Sequence, residues 1–296
     1  MKITTIILLF LSVFPLLADN YSEQMRKADQ LFKEKKYKAA AAAYDEAILE
    51  TEKPQERIKA KFGYLESLKK SRSGNRLAAA ESLLYEENTL TPRQVADLTI
   101  YIVRIANKET RTKAIEFAKK YPGMKDHEMS LVLMAAINQG GAWDAHVESL
   151  LNMKNPAPVA RAVALGSKAT QVLWAEHNPA KALPMFDEAL ANKHISRDNR
   201  QFYYLGKARS HWRLKQIRQA EESYLNALAT PAVSNFQNAA YMELLGVYTR
   251  TKQGIKIAPM VMRASKDKKL TAKQRQVFVN ALEEIQKRIN SKMQEK

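Results

Sequence analysis

Residues 204–227 read Tyr204-Leu205-Gly206-Lys207-Ala208-Arg209-Ser210-His211-Trp212-Arg213-Leu214-Lys215-Gln216-Ile217-Arg218-Gln219-Ala220-Glu221-Glu222-Ser223-Tyr224-Leu225-Asn226-Ala227. Within this stretch Ala208, Ala220, Tyr224 and Ala227 are separated by 12, 4 and 3 residues. The same intervals recur at Ala28, Ala40, Tyr44 and Ala47, at Thr170, Ala182, Phe186 and Ala189, and more faintly at Gly246, Ala258, Met262 and Ser265. Residues three and four apart share one face of a helix. Small residues there let two antiparallel helices approach closely, with an aromatic ring wedged between them. Such a pair cannot bury its apolar face alone and must stack on copies of itself.

The bulk composition agrees. The chain has 296 residues, 46% of them hydrophobic, enough for a substantial core and against disorder. Only nine Gly are present, and no Asn-Gly or Asp-Gly hairpin signal occurs. The spacing and the helix-forming composition predict an all-α chain of about seven antiparallel helix pairs. The first pair runs from about Tyr21 to Thr51. Ser71–Gly74, Tyr121–Gly123 and Gly140–Gly141 read as turns, and Asn155-Pro156-Ala157-Pro158 as a division between two arrays, 19–155 and 156–296. Beyond it the repeat settles to a period of 38, in which Thr170, Ala208 and Gly246 correspond, as do Phe186, Tyr224 and Met262. Thr91-x-x-Gln94 and Thr271-x-x-Gln274 read as capping boxes. The second opens a capping helix over 271–293, with Phe278, Leu282, Ile285 and Ile289 on its apolar stripe.

On these residues the chain resembles the tetratricopeptide repeat (TPR) family. The likeness is carried by Tyr204 through Ala227, followed by Pro231, and by Ala28 through Tyr37, Ala40, Tyr44 and Ala47. Asn178-Pro179-Ala180-Lys181-Ala182, with Phe186 and Ala189, matches the turn and second helix of a further copy. The resemblance implies a right-handed superhelix whose first helices line a concave groove, and a non-enzymatic role in binding peptides or partner proteins. The period of 38 departs from the family's usual 34, and Lys207 stands where the family prefers an apolar residue.

The N-terminus reads as a secretory signal, 1–18. Lys2 precedes the apolar run Ile6–Phe14, and cleavage is expected after Ala18. Ile3–Ala18 is 16 residues, short for a span of about 20. The expectation is therefore a periplasmic or secreted protein with no transmembrane segment once the signal is removed. With no Cys, disulfides, thiolate chemistry and a lipoprotein anchor are excluded.

Net charge is +17, unevenly spread. Residues 19–60 carry nine basic and nine acidic side chains, whereas 161–296 carry 24 basic and 11 acidic, a net of +13. That asymmetry points to anionic partners of the C-terminal half. They are an acidic protein or peptide in the groove or, as the alternative, an anionic envelope polymer such as peptidoglycan or a lipid surface. Nucleic acid is disfavoured by export and by the lack of a stacking pattern.

No H-E-x-x-H, G-x-G-x-x-G, Walker loop or nucleophile elbow is present. The five His residues are scattered, with no pair at helical ligand spacing. No catalytic residue, cofactor or metal site is expected. By matching positions to the family, the groove would present Ser167, Lys168, Gln171 and Trp174 from one first helix. Phe202, Arg209, Trp212 and Arg213 would come from the next, then Glu243, Val247 and Arg250. Trp174 and Trp212 lie 38 apart, which places them as equivalent neighbours. Trp offers contact area at low entropy cost and Arg binds carboxylates bidentately, a common interface chemistry. Packing between repeats is the rival reading for both Trp.

Overall fold

The computed structural model describes residues 20–140, 143–230 and 232–294. The expected signal 1–18 and its cleavage point lie outside the described residues. Among those described the chain forms fifteen α-helices and no strand. They fall into two compact units, Met1–Gly141 and Ala142–Lys296. In the first are α1 (20–33), α2 (Tyr37–Leu49), α3 (Pro54–Lys70), α4 (Arg76–Glu86), α5 (Pro92–Ile105), α6 (Lys108–Lys120) and α7 (Asp126–Asn138). The second holds α8 (Trp143–Leu151), α9 (Pro158–Trp174), α10 (Pro179–Ala191), α11 (Arg197–Arg213), α12 (Ile217–Ala229), α13 (Ser234–Arg250), α14 (Ile257–Lys266) and α15 (Ala272–Gln294). The architecture is the all-α repeat that the spacing predicts. Within each unit neighbouring helices pack on one another, as α2 on α3 and α11 on α12 do, and first helices also touch first helices: α5 meets α7, α9 meets α11, and α11 meets α13. The expected fourth pair is divided: α7 packs on α5 and α6 in the first unit, and α8 on α9 in the second. Asn155–Pro158 is the connection from α8 to α9, inside the second unit.

The pairs share a turn that the spacing does not reveal. Lys35, Arg72, His177, Lys215 and Lys252 each follow a first helix with φ between 51° and 61°. Non-glycine residues rarely take this left-handed conformation. At four of these turns an amide reaches back to the carbonyl five residues earlier: Lys36 to Leu31, Ser73 to Leu68, Gln216 to His211 and Gln253 to Tyr248. This closure satisfies the orphan carbonyls at a helix C-terminus and aims the chain into the antiparallel second helix. At the opposite end of some helices, side chains do the same work. Thr91 and Thr271 form the expected capping boxes with Gln94 and Gln274.

The repeat spacing marks the core. Ala28, Ala40, Tyr44 and Ala47 are buried, as are Ala182, Phe186 and Ala189, and Ala208, Ala220, Tyr224 and Ala227. The aromatic wedge needs glycine opposite it. A Cβ on Gly63 would lie 2.4 Å from the Tyr44 ring, and one on Gly206 would lie 2.3 Å from Phe186. The fourth, faint copy is not core. Met262 is 48% exposed, while Met260 and Ala264 are buried in its stead. A 3₁₀ turn at Gly254–Lys256 lengthens the connection and shifts α14 against the 38-residue frame. Thr170 is likewise only half-buried, and its neighbour Ala169 takes the core position. The cap behaves as expected: Phe278 is buried against Tyr241, with Leu282 and Ile285 packed beside it. The side chain of Ile289 lies outside the described residues.

Candidate functional site

A cavity of about 410 Å³ opens in the second unit among the C-terminal ends of α9, α11 and α13, with Tyr224 of α12 as its fourth wall. Its formation follows from the repeat. α10 seats Phe186 against Gly206 of α11, closing that junction. α12 offers Tyr224 to α13, but α13 has no glycine at the matching register and carries Glu243 there, at the place in the helix that Gly206 holds in α11. Tyr224 instead extends its hydroxyl to Glu243 Oε2 at 3.0 Å. Gly246 has no atom within 4 Å of where a Cβ would stand, so its side-chain space is open and belongs to the cavity.

Six of the nine residues expected at a partner site line this cavity: Trp174, Arg209, Trp212, Arg213, Glu243 and Arg250. Arg209 and Glu243 form a two-pronged pair, Nε to Oε2 at 2.9 Å and Nη2 to Oε1 at 2.6 Å. Burial alone would lower the Arg209 pKa, but the bond to Glu243 and its charge outweigh that and raise it. Burial first, then the Glu243 charge, pushes the Tyr224 phenol far above its ordinary value, so it remains a hydrogen-bond donor. The Arg213 guanidinium lies 4.4 Å from the Trp174 ring centre and donates to the Leu173 carbonyl at 2.7 Å. A cation there also complements the C-terminal dipole of α9. Arg250 lies 5.7 Å from the Trp212 ring centre. Such cation–π contacts are worth about 0.5–1 kcal/mol at exposed sites. Three guanidinium groups thus meet one carboxylate, and the cavity is net positive.

The two tryptophans are not equivalent. α9, α11 and α13 are each 17 residues long and end on Trp174, Arg213 and Arg250. Trp212 is one place earlier, where α9 has the buried Leu173. The 38-residue alignment fails because the first helices begin 39 and then 37 residues apart, at Pro158, Arg197 and Ser234. Each indole faces an arginine of the next first helix. Trp174 is 46% exposed, whereas Trp212 is half-buried and packs on the core, so the two differ in how far packing claims them.

The other three expected residues lie elsewhere. Lys168 bridges to Glu148 of α8 at 2.6 Å. Phe202 packs against Phe236, with ring centres 5.2 Å apart. Gln171 does not line the cavity. Ser167 and Val247 are buried, and Val247 forms part of the cavity floor. Lys207 sits at the surface of α11, paired to Asp187 at 2.5 Å. Sequence reasoning took Tyr224 only as a packing wedge and missed Met242, which is 49% exposed at the cavity rim. The offset of Tyr224 from the nearest glycine was the available signal.

Among the described residues no group of three His, Asp or Glu gathers to hold a metal, and no helix is long and apolar enough to cross a membrane. The chain matches no protein-family model and no curated protein.

Proposed function

We propose that this chain is an exported scaffold of the TPR type, without catalysis of its own, that holds a partner protein by an extended acidic segment seated in the α9–α11–α13 cavity. The observation that carries the reading is the convergence of Arg209, Arg213 and Arg250, with a single carboxylate among them, on a cavity walled by two indoles. Glu243 engages Arg209, and Arg213 and Arg250 remain for a ligand. Both are held over aromatic faces, so less entropy is lost when they bind. Exposed Trp174 and Met242 supply apolar contact beside the charges. The apolar N-terminal run supports export.

The spacing of the arginines suggests a ligand register. Packed helices stand about 8–10 Å apart, and Arg213 and Arg250 end neighbouring first helices. A chain in the polyproline II conformation advances about 3.1 Å per residue and repeats every third residue, so acidic side chains three apart would share a face and meet both. Calorimetric titration with a peptide carrying Glu at such positions tests this. Saturable binding is expected, reduced at least tenfold, about 1.4 kcal/mol, by Arg250→Ala. Equal binding of a peptide with Lys in place of Glu would overturn the reading.

A further inference from the structure

Among the described residues the positive charge of the second unit is partly paired and partly free, and the free cations lie at both ends of the helix pairs. Several cations are paired: Lys207 of α11 with Asp187 of α10, Lys181 with Glu176 and Lys256 with Glu221 at the turn end, and Arg161 with Glu188 where α9 starts beside the end of α10. At the end where each second helix connects to the next first helix, Arg161 is paired but a further group of cations is not. The connections at 152–157, 192–196 and 267–271 share this end with residues 230, 232 and 233. Hydrogen bonds tie three of them together. Gln201 of α11 accepts from the amides of Ala232 and Val233 and donates to Gln237 of α13 at 2.7 Å. Gln237 in turn donates to Asp267 at 2.8 Å. The Arg161–Glu188 pair sets the start of α9 beside the end of α10.

On this end Lys154, Lys193, Arg197, Lys268, Lys269 and Lys273 are all exposed, and among the described residues none forms an ion pair. The acid within the 267–271 connection is withdrawn from them. Asp267 accepts from Gln237, from the Tyr241 hydroxyl at 2.9 Å and from the Lys269 amide at 2.8 Å. The fold thus occupies the negative charge of Lys-Asp-Lys-Lys internally and leaves its lysines facing water. Asp198 also lies at this end, as does Glu188, which is occupied by Arg161.

We propose that this end is a docking surface for a bilayer bearing anionic phospholipid headgroups. Lysine dominates here, and its ammonium is a compact, hydrated point charge without the planar fork that selects a particular anion. None of the four connections carries Phe, Trp or Tyr, so there is no platform for stacking bases or sugar rings. Unpaired lysines on one end, without aromatic readout, fit a phosphate-rich surface that they approach electrostatically. This site is separate from the arginine cavity, which lies at the opposite ends of α9, α11 and α13.

The test is co-sedimentation of the full chain with vesicles of phosphatidylcholine alone or mixed in equal parts with phosphatidylglycerol. Binding is expected only to the mixed vesicles and should weaken steeply as salt rises. Replacing Lys268, Lys269 and Lys273 together by Gln should lower the partition roughly a hundredfold. A charge-matched control, Lys215→Gly, Lys252→Gly and Arg218→Gln, removes three cations from the opposite end, where Lys215 and Lys252 already have the backbone that glycine prefers. It should stay within about threefold of the parent. Equal loss in both variants would mean that net charge alone acts and would overturn the proposal. So would undiminished binding to neutral vesicles, or binding to soluble inorganic polyphosphate with none to vesicles.

Discussion

Two successive repeat junctions in the second unit have the same spacing and opposite outcomes. At α10–α11, Phe186 meets Gly206 and the helices close. At α12–α13, Tyr224 meets a helix with Glu243 in the register of Gly206, sets its hydroxyl on that carboxylate, and leaves open space at Gly246. The wedge motif is thus only half of a contact. The glycine opposite decides whether a junction becomes core or cavity. The candidate site is the place where the repeat departs from itself.

Exchanging the roles of the two glycines should produce the largest effects. Gly206→Leu drives a side chain into the Phe186 ring and should destabilise the second unit by about 3 kcal/mol. Gly246→Leu should change stability by less than about 1 kcal/mol, because it replaces a helical glycine with a good helix former in open space, yet it should abolish peptide binding by filling the cavity. Urea unfolding followed by tryptophan fluorescence separates these outcomes. Trp143, Trp174 and Trp212 are the chain's only tryptophans, and all lie in the second unit. Equal destabilisation by both variants would break the comparison.

The Tyr224–Glu243–Arg209 group comes next. Glu243→Gln leaves a largely buried guanidinium short of its counter-charge and should cost about 1–3 kcal/mol of stability. Tyr224→Phe removes only the hydroxyl contact to Glu243 and should cost about 1 kcal/mol. If Tyr224→Phe were the more damaging, Tyr224 would matter as packing and not through its hydroxyl.

A smaller effect is expected at the lysine end, from the acid beneath it. Burial would raise the Asp267 pKa, but the Lys269 amide, Gln237, Tyr241 and the Arg263 charge outweigh it and hold the carboxyl below the usual range. Its stabilisation is therefore full above the ordinary carboxylate pKa and fades as pH falls through the lower, folded-state value. Asp267→Asn should lose about 1 kcal/mol at neutral pH, with the gap to the parent closing in acid. The urea midpoints of the two proteins at neutral pH and in acid measure this. A constant gap would show that the carboxylate's charge has no part in holding the connections together.

Much of the fold was legible because the repeat residues are small or aromatic and their burial leaves little choice. Ala28, Ala182 and Ala208 are buried where the spacing placed them or their partners. The frame drifted where connections change length, a quantity that residue spacing records only as a sum. Thus Gly246 and Met262 were matched to core positions they do not occupy, and Trp174 was aligned with Trp212 when the helix frame aligns it with Arg213. The candidate cavity was readable in its first-helix residues, since these share one helix face. Lys168 and Phe202 carry the same residue chemistry, but Glu148 and Phe236 satisfy them, and those partners lie on other elements. The hydroxyl of Tyr224 was hidden because a wedge that fits a glycine and one that misses it look alike in sequence.

A double-mutant cycle decides whether Arg250 holds a ligand carboxylate, pairing Arg250→Ala in the chain with Glu→Gln at one acidic position of the peptide. If Arg250 grips that carboxylate from its place over Trp212, the two changes should be coupled by about 1–2 kcal/mol, the second costing little once the first is made. Full additivity, with each change costing the same in the presence of the other, would contradict the account.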